Sequence, residues 1–280
     1  LLATLMKINH SYFSNLALNL AEKNLGKTGL NPSVGCIVVK NNSVISSGIT
    51  SITGRPHAEF NALNKNLDFN GSKMYVTLEP CTHYGKTPPC TNIIIKKKIK
   101  NVYYCFDDPD KRTYRKAKKL LNKNKVSLKK INCKNNNIYK SYYLNKKFKL
   151  PLIDGKIAIS KDYYTINKKS KWITNSKSRR LTHYLRSKYD CVISTSDTIN
   201  KDNALLNCRL NGFDNNKPDL IIIDRNLILK KKLKLFKITN NRKTYIVTLK
   251  DNIKKCNYFK KKKISFIKIN NLETKTDFYI

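Results

Sequence analysis

Two α/β domains in tandem are the fold class that this chain predicts. Three observations carry the expectation. The chain has 280 residues, enough for two cores of ordinary size. Short strand-like apolar runs alternate with helical spacing in both halves, as expected when helices pack on a mainly β sheet. Between about residues 133 and 150 the pattern dissolves into "CKNNNIYKSYYLNKKFKLP", which reads as a linker. The expected domains are therefore 1–146 and 147–280.

In the first half, "SYFSNLALNLAEKN" has apolar residues at helical spacing. "VGCIVVK" and "SVISSGI" are strand-like runs divided by "NN", a turn signal. "HAEFNALNK" returns to helical spacing, and "KMYVTLEP" is a strand stopped by proline. "TNIIIKKKI" reads as a helix, "NVYYCFD" as a strand and "RKAKKLLNKN" as a helix before "VSLKKI". In the second half "LPLIDGKIAIS" reads as a strand, "SKSRRLTHYLRSK" as a helix, and "YDCVIST" and "PDLIIIDR" as strands. "KTYIVTL" and "KKKISFIKI" follow. No internal repeat is visible.

Composition narrows the function less than it first suggests. Lys+Arg number 57 against Asp+Glu 18, a formal charge of +39. A basic face gains affinity for nucleic acid by releasing counterions. Here lysine and asparagine crowd the whole chain rather than one stripe, so the charge reads as solvated composition and no specific nucleic-acid partner is expected. No apolar run approaches the roughly 20 residues needed to span a bilayer, and the start lacks the order of a secretory signal. A cytoplasmic protein without a membrane partner is the expectation. The chain opens on Leu1, with the first methionine at Met6, which leaves the authenticity of residues 1–5 open. Of eight cysteines, Cys36, Cys105 and Cys191 lie in apolar runs and read as small core residues. No disulfide framework is expected in a chain of this size. Cys81 and Cys90 differ, because each follows a proline in a polar stretch.

His57, Cys81 and Cys90 offer zinc one imidazole and two thiolates, leaving a fourth position for water. Zinc lowers the pKa of such a water towards about 7. Glu59, two positions after His57, is placed to move protons between that water and a departing amine. "HAE" opens a helix and "PCTNIII" starts another, so the ligands can gather at helix N-termini, where thiolate is favoured. Each residue alone would more often be structural. His-x-Glu followed by two Pro-Cys pairs is hard to explain by packing. A structural zinc is the alternative, with His83 as fourth ligand, but it leaves Glu59 without a role.

"HAE…EPC…PPC" resembles the zinc-dependent cytidine and nucleobase deaminases, whose pattern is H-x-E…P-C-x-x-C. The second cysteine here comes nine positions after the first, not three. That longer loop, "THYGKTPP", is similar to the pyrimidine deaminases of riboflavin biosynthesis, the first domain of bifunctional deaminase–reductases. Asn31, Pro32, Val34 and Gly35 match their "NPxVG". Thr77 to Cys90 match "TLEPCxHxGxTPPC", and Asp108 and Pro109 match a "DP" after the next strand. The resemblance runs through most of residues 10 to 145. It implies a cytidine-deaminase-like α/β/α domain acting as a cyclic amidine hydrolase. Its substrate would be 2,5-diamino-6-ribosylamino-4(3H)-pyrimidinone 5′-phosphate, which would lose its 2-amino group as ammonia. Asn31, His83 and Lys86 would touch that small phosphorylated pyrimidine. Such deaminases often assemble as homo-oligomers. A tRNA adenosine deaminase, the rival enzyme, has the short cysteine gap that this chain lacks. A basic nucleic-acid-binding protein with a structural zinc is the rival from another class.

For the second half the resemblance implies a dihydrofolate-reductase-like domain that reduces ribosyl to ribityl with NADPH. Ser160 and Asp162 fit its S-x-D-G turn, with Tyr163 in place of the glycine. Ala158, Trp172, Thr198 and Asp202 would lie along NADPH. Ser170, Arg186, Leu206 and Arg209 would lie along the substrate, arginine being suited to phosphate oxygens. Without the resemblance these residues would read as solvated or packed. Such reductases close with a glycine-rich turn at the cofactor's phosphates, and no glycine follows Gly212 here. The reductase-like domain is thus expected to be incomplete and its activity is left open.

Overall fold

A computed structural model describes residues 10–133, 137–165, 172–213 and 218–270. The helical spacing of Phe13, Ala17, Leu18 and Ala21 folds as α1 (His10–Lys23), with these residues buried. β1 (Gly35–Lys40) and β2 (Ser43–Ile49) form a hairpin. Its turn residues, Asn41 and Asn42, stand at φ 50° and 61°, the left-handed pair that a two-residue hairpin requires. There follow α2 (Ala58–Leu63), β3 (Lys73–Leu78), α3 (Cys90–Lys96), β4 (Asn101–Phe106), α4 (Ala117–Lys123) and β5 (Ser127–Lys130). The sheet order is β2-β1-β3-β4-β5. β1 runs antiparallel to both neighbours, and β3, β4 and β5 are parallel.

Strand alternation divides this core between the two faces. Cys36, Val38, Met74, Val76 and Val102 cluster with Ala58, Ala62, Ile94, Ala117 and Leu121 of α2, α3 and α4. Ile37, Val39, Tyr75 and Tyr103 cluster with Phe13 and Ala17 of α1. Helices therefore cover both faces, as the α/β/α expectation requires. Two glycines set how closely they sit. A Cβ on Gly35 would lie 1.9 Å from the Ala17 carbonyl oxygen, and one on Gly48 2.2 Å from that of Ala58.

The stretch 133–150 departs from the expected linker. It carries α5 (Lys140–Phe148), entered through a turn in which Ile138 and Tyr139 are buried. Tyr142 and Tyr143 pack against the same core. Aromatic anchors at this spacing hold a helix that its Asn- and Lys-rich composition conceals. The chain divides into compact units at residues 1–155 and 156–280, so α5 belongs to the first. The cysteine reading also needs correcting. Cys105 is buried, but it is disulfide-bonded to Cys133. The parallel β4–β5 pairing brings their Cα atoms to 5.7 Å, a proximity invisible across 28 residues of sequence.

Residues 150–160, which lead from the first unit into the second, are expected as a strand. They form no strand among the described residues, and Ile153 and Ile157 are exposed. Alternating apolar residues make a strand only when a neighbouring edge accepts their hydrogen bonds. α6 (Ser176–Arg186) starts at Asn175, whose side chain accepts from the Ser178 amide at 2.9 Å. β6 (Cys191–Thr195), α7 (Ser196–Asp202), β7 (Asp219–Ile223), β8 (Thr244–Leu249), α8 (Asn257–Lys260) and β9 (Ser265–Ile269) complete the unit. The sheet is parallel, in the order β6-β7-β8-β9. Its core joins Ile199, Leu220, Ile222, Leu235, Ile246 and Phe259. Cys191, expected in the core, is only half-buried, because β6 is an edge strand with Ile193 exposed. Among the described residues no helix is long and apolar enough to cross a membrane.

Candidate metal centre

His57 is the N-cap of α2, in extended conformation (φ −72°, ψ 160°), and this puts Glu59 in the first helical turn. Pro56, which precedes it, is joined to Arg55 by a cis peptide bond. β3 runs into Glu79-Pro80-Cys81, and Pro89 caps α3, whose first residue is Cys90. The three elements converge. His57 Nδ1 lies 3.4 Å from Cys90 Sγ and 3.7 Å from Cys81 Sγ, and all three donor atoms fall within 4.8 Å of one another. Zinc–sulfur and zinc–nitrogen bonds of about 2.3 and 2.0 Å at a tetrahedral angle separate such donors by about 3.5 Å. The donor set thus fits zinc in both chemistry and spacing.

The electrostatics suit thiolate ligands and a proton-carrying carboxylate. A hydrogen bond from the Cys90 thiol, helped by His57 and the Cys90 amide, holds Cys81 down to about 4. The same bond, together with burial, pushes Cys90 up. Glu59 is 4% exposed. Burial first, and then the charge on Cys81, push its carboxyl up to about 7. A carboxyl so placed is a proton carrier at neutral pH.

Asn31 donates from Nδ2 to the Gly54 carbonyl at 3.0 Å, and its own carbonyl accepts from Thr28 Oγ1 at 2.7 Å. Gly54 is required there, since at φ 94° a Cβ would lie 2.7 Å from Asn31 Nδ2. His83 is turned towards Thr113, Nδ1 to Oγ1 at 3.1 Å, and does not join the ligand cluster. A fourth protein ligand from His83 is therefore not supported. Lys86 is exposed in the loop between the cysteines.

Sequence reading missed Arg55, whose Nη1 donates to Thr87 Oγ1 at 2.7 Å and lies 3.3 Å from His57 Nε2. It ties the loop before α2 to the loop between the cysteines. Its place directly before Pro56-His57 was the available signal. It also missed Thr77 and Tyr139, which hold the Ser33–Gly35 turn beside Asn31.

In the second unit the structure brings together part of the expected set. Arg209 Nη1 donates to Asn207 Oδ1 at 2.8 Å, and Arg186 Nη1 lies 3.5 Å from the Asn207 carbonyl. Leu206, on the same loop, stands at φ 52°. His183, not foreseen, joins them, with Nδ1 near the Asn207 carbonyl and Nε2 3.2 Å from Arg209 Nη2. Thr198 and Asp202 share α7 and are exposed. Thr198 Oγ1 lies 3.1 Å from Thr195 Oγ1 at the C-terminal end of β6. Ala158 lies on the 150–160 segment, half-buried, and Trp172 carries the Arg179 guanidinium 4.6 Å over its ring. Tyr163 stands at φ 67°, the left-handed geometry that explains the glycine expected there. Ser170 lies outside the described residues.

An α/β/α unit with a histidine, a cysteine and a buried glutamate at helix N-termini, and a second cysteine just beyond β3, defines the zinc deaminase class. Comparison with known proteins agrees. The profile of the cytidine and deoxycytidylate deaminase zinc-binding region matches residues 7–106, and that of the RibD C-terminal domain matches residues 153–274. The chain belongs to the RibD family of riboflavin biosynthesis proteins. It is 34% identical to RibD of Aquifex aeolicus over 86% of this chain and 69% of that protein. To RibD of Buchnera aphidicola it is 38% identical over 74% of this chain and 57% of that protein. The chain thus spans between about half and two thirds of the length of these curated relatives. Two solved structures share the fold. RibD of Acinetobacter baumannii (form 2) has a TM-score of 0.78 at 27% identity, covering 94% of this chain and 75% of that one. The deaminase/reductase of Thermotoga maritima has a TM-score of 0.77 at 29% identity, covering 93% and 80%.

Proposed function

We propose that the first unit is a hydrolytic deaminase of riboflavin biosynthesis. It removes the 2-amino group of 2,5-diamino-6-ribosylamino-4(3H)-pyrimidinone 5′-phosphate as ammonia. The observation that carries this reading is the buried Glu59 beside an open three-donor zinc set. His57, Cys81 and Cys90 would hold zinc, which would supply acidity to the attacking water. Glu59 takes a proton on its carboxylate oxygen and returns it to the departing amine, a role its pKa of about 7 suits. The amide of Asn31 and the imidazole of His83 orient the ring, and Lys86 meets the phosphate. The reading takes the reaction to be cytoplasmic.

In the second unit the reading assigns NADPH-dependent reduction of the ribosyl side chain. Arg186, at the end of α6, and Arg209 support it, because two guanidinium groups that meet at Asn207 suit a phosphate ester. Ala158, Trp172, Thr198 and Asp202 would hold the dinucleotide, which supplies hydride. Ser170 and Leu206 would complete the substrate side.

The test is ammonia release from the phosphorylated diaminopyrimidine by the purified chain, with zinc measured by plasma emission. Glu59→Gln is expected to retain one zinc and to lose turnover by about 10²-fold or more. Undiminished turnover in that variant defeats the role given to Glu59. Salt-sensitive RNA binding indifferent to Glu59→Gln would favour the nucleic-acid reading instead.

A further inference from the structure

The deaminase-region profile ends at residue 106, yet residues beyond it hold two sides of the candidate substrate-residue set, one beside Asn31 and one at His83. One side is the Ser33–Gly35 turn that follows Asn31. Tyr139, buried at 1% exposure, donates its hydroxyl proton to the Ser33 carbonyl at 3.0 Å. Its oxygen is then the acceptor for Thr77 Oγ1, 2.5 Å away, and Thr77 accepts from the Gly35 amide at 3.1 Å. The turn is clasped from both ends.

The other side carries His83. Tyr142 of α5 donates to Asp108 Oδ1 at 3.0 Å, the same oxygen that accepts the Asp110 amide at 2.9 Å. One helical turn on, Lys146 pairs with Asp110 Oδ2 at 3.1 Å, and Arg112 holds the same carboxylate at 2.6 Å. Tyr143 donates to the Asp107 carbonyl at 2.5 Å. Successive residues of α5 thus fix the loop 107–113 by hydroxyl and ammonium contacts. That loop in turn meets the loop between the cysteines. The Arg112 carbonyl accepts from Thr82 Oγ1 at 3.2 Å, and Thr113 Oγ1 lies 3.1 Å from His83 Nδ1. Thr113 is fully buried and Asp108 is 6% exposed, so neither can relax freely when its partner is lost.

We propose that α5 is part of the substrate-recognition machinery of the first unit, with Tyr142 as a positioning residue. It acts on His83 through the loop 107–113, and Tyr139 does the same for Asn31 through the Ser33–Gly35 turn. The inference rests on the deaminase reading, but it says something that reading does not. The segment that resembles a linker sets the affinity for the pyrimidine and leaves the chemistry to the zinc set and Glu59.

The test is steady-state ammonia release by the full chain carrying Tyr142→Phe, His83→Ala or both, with zinc content measured in each. Tyr142→Phe removes one oxygen and keeps the ring. It is expected to raise KM about tenfold, in line with loss of one hydrogen bond to a charged group, while kcat stays within about threefold and zinc is retained. In the His83→Ala background the same change is expected to move KM less than about twofold, because the residue it positions is gone. An unaltered KM in Tyr142→Phe, an equal rise in both backgrounds, or a loss confined to kcat overturns the inference while leaving the deaminase intact. A parent chain that binds zinc and releases no ammonia sinks the deaminase reading, and this inference with it.

Discussion

A hydrogen atom in place of a methyl group at Gly48 lets the helix that carries Glu59 lie directly on β2. A Cβ there would meet the Ala58 carbonyl oxygen at 2.2 Å, the Ala62 nitrogen at 2.5 Å and the Ala62 Cα at 3.0 Å, all backbone of α2. Backbone atoms cannot swing aside as a side chain can, so α2 itself must move. Gly48→Ala is expected to cost at least about 1–3 kcal/mol, the range of an overpacked core. It should also weaken zinc binding, because His57 caps the same helix. Chemical denaturation and a zinc titration check both; unchanged stability and affinity would contradict the close approach. Single residues were legible in the sequence where chemistry restricts their type. His57, Cys81, Cys90 and Glu59 could be named because few residue types bind zinc or carry protons. Arg55, Tyr139, Tyr142 and His183 could not, since their roles come from partners far away in the chain. Tyr139, for instance, meets Ser33 106 positions earlier.

Elements were readable where apolar spacing is strong and hidden where tertiary contacts make them. α1, α2 and α3 and the strands β1 to β4 fall within stretches whose patterns announce them. α5 escaped because no residue within it is fully buried and its mean composition is polar. Ile138 and Tyr139, just before it, and the hydroxyls of Tyr142 and Tyr143 dock it instead. The reverse error occurred at 150–160, where alternation was present but no neighbouring strand pairs with it among the described residues. The consequence for α5 can be measured. A chain ended after Cys133 loses two buried core side chains and leaves Thr77 and Asp108 without their tyrosine partners. Burial of each large apolar side chain is worth about 1.5–3 kcal/mol. Such a chain is expected to be several degrees less stable, or insoluble, compared with one ended after Gly155. Thermal melts of the two side by side test this; equal melting temperatures would return the stretch to the status of a linker.

Over the whole molecule, the two units have separate cores, one around Val38, Val76 and Ile94 and the other around Leu220, Ile222 and Ile246. The candidate zinc donors all come from the first unit, and the thiols among them are buried beside Glu59. Without metal, Cys81 and Cys90 must share protons in a buried site, and Glu59 lies against them. Zinc held by these donors would offset both thiolate charges, and its ligands would come from α2, the end of β3 and α3. Ligand binding to the folded state alone stabilises by RT ln(1 + [L]/Kd), about 2.7 kcal/mol at a hundredfold excess over Kd. For a unit of this size that corresponds to roughly 5–11 °C in melting temperature. Calorimetry of the full chain with and without a zinc chelator is therefore expected to show two transitions, of which only one falls when the metal is removed. The shifted transition should be the one that Gly48→Ala also lowers, because both act on the unit built around α2. A chelator that moved both transitions equally would mean that the units unfold together. One that moved neither would mean that the His57, Cys81 and Cys90 donors hold no metal.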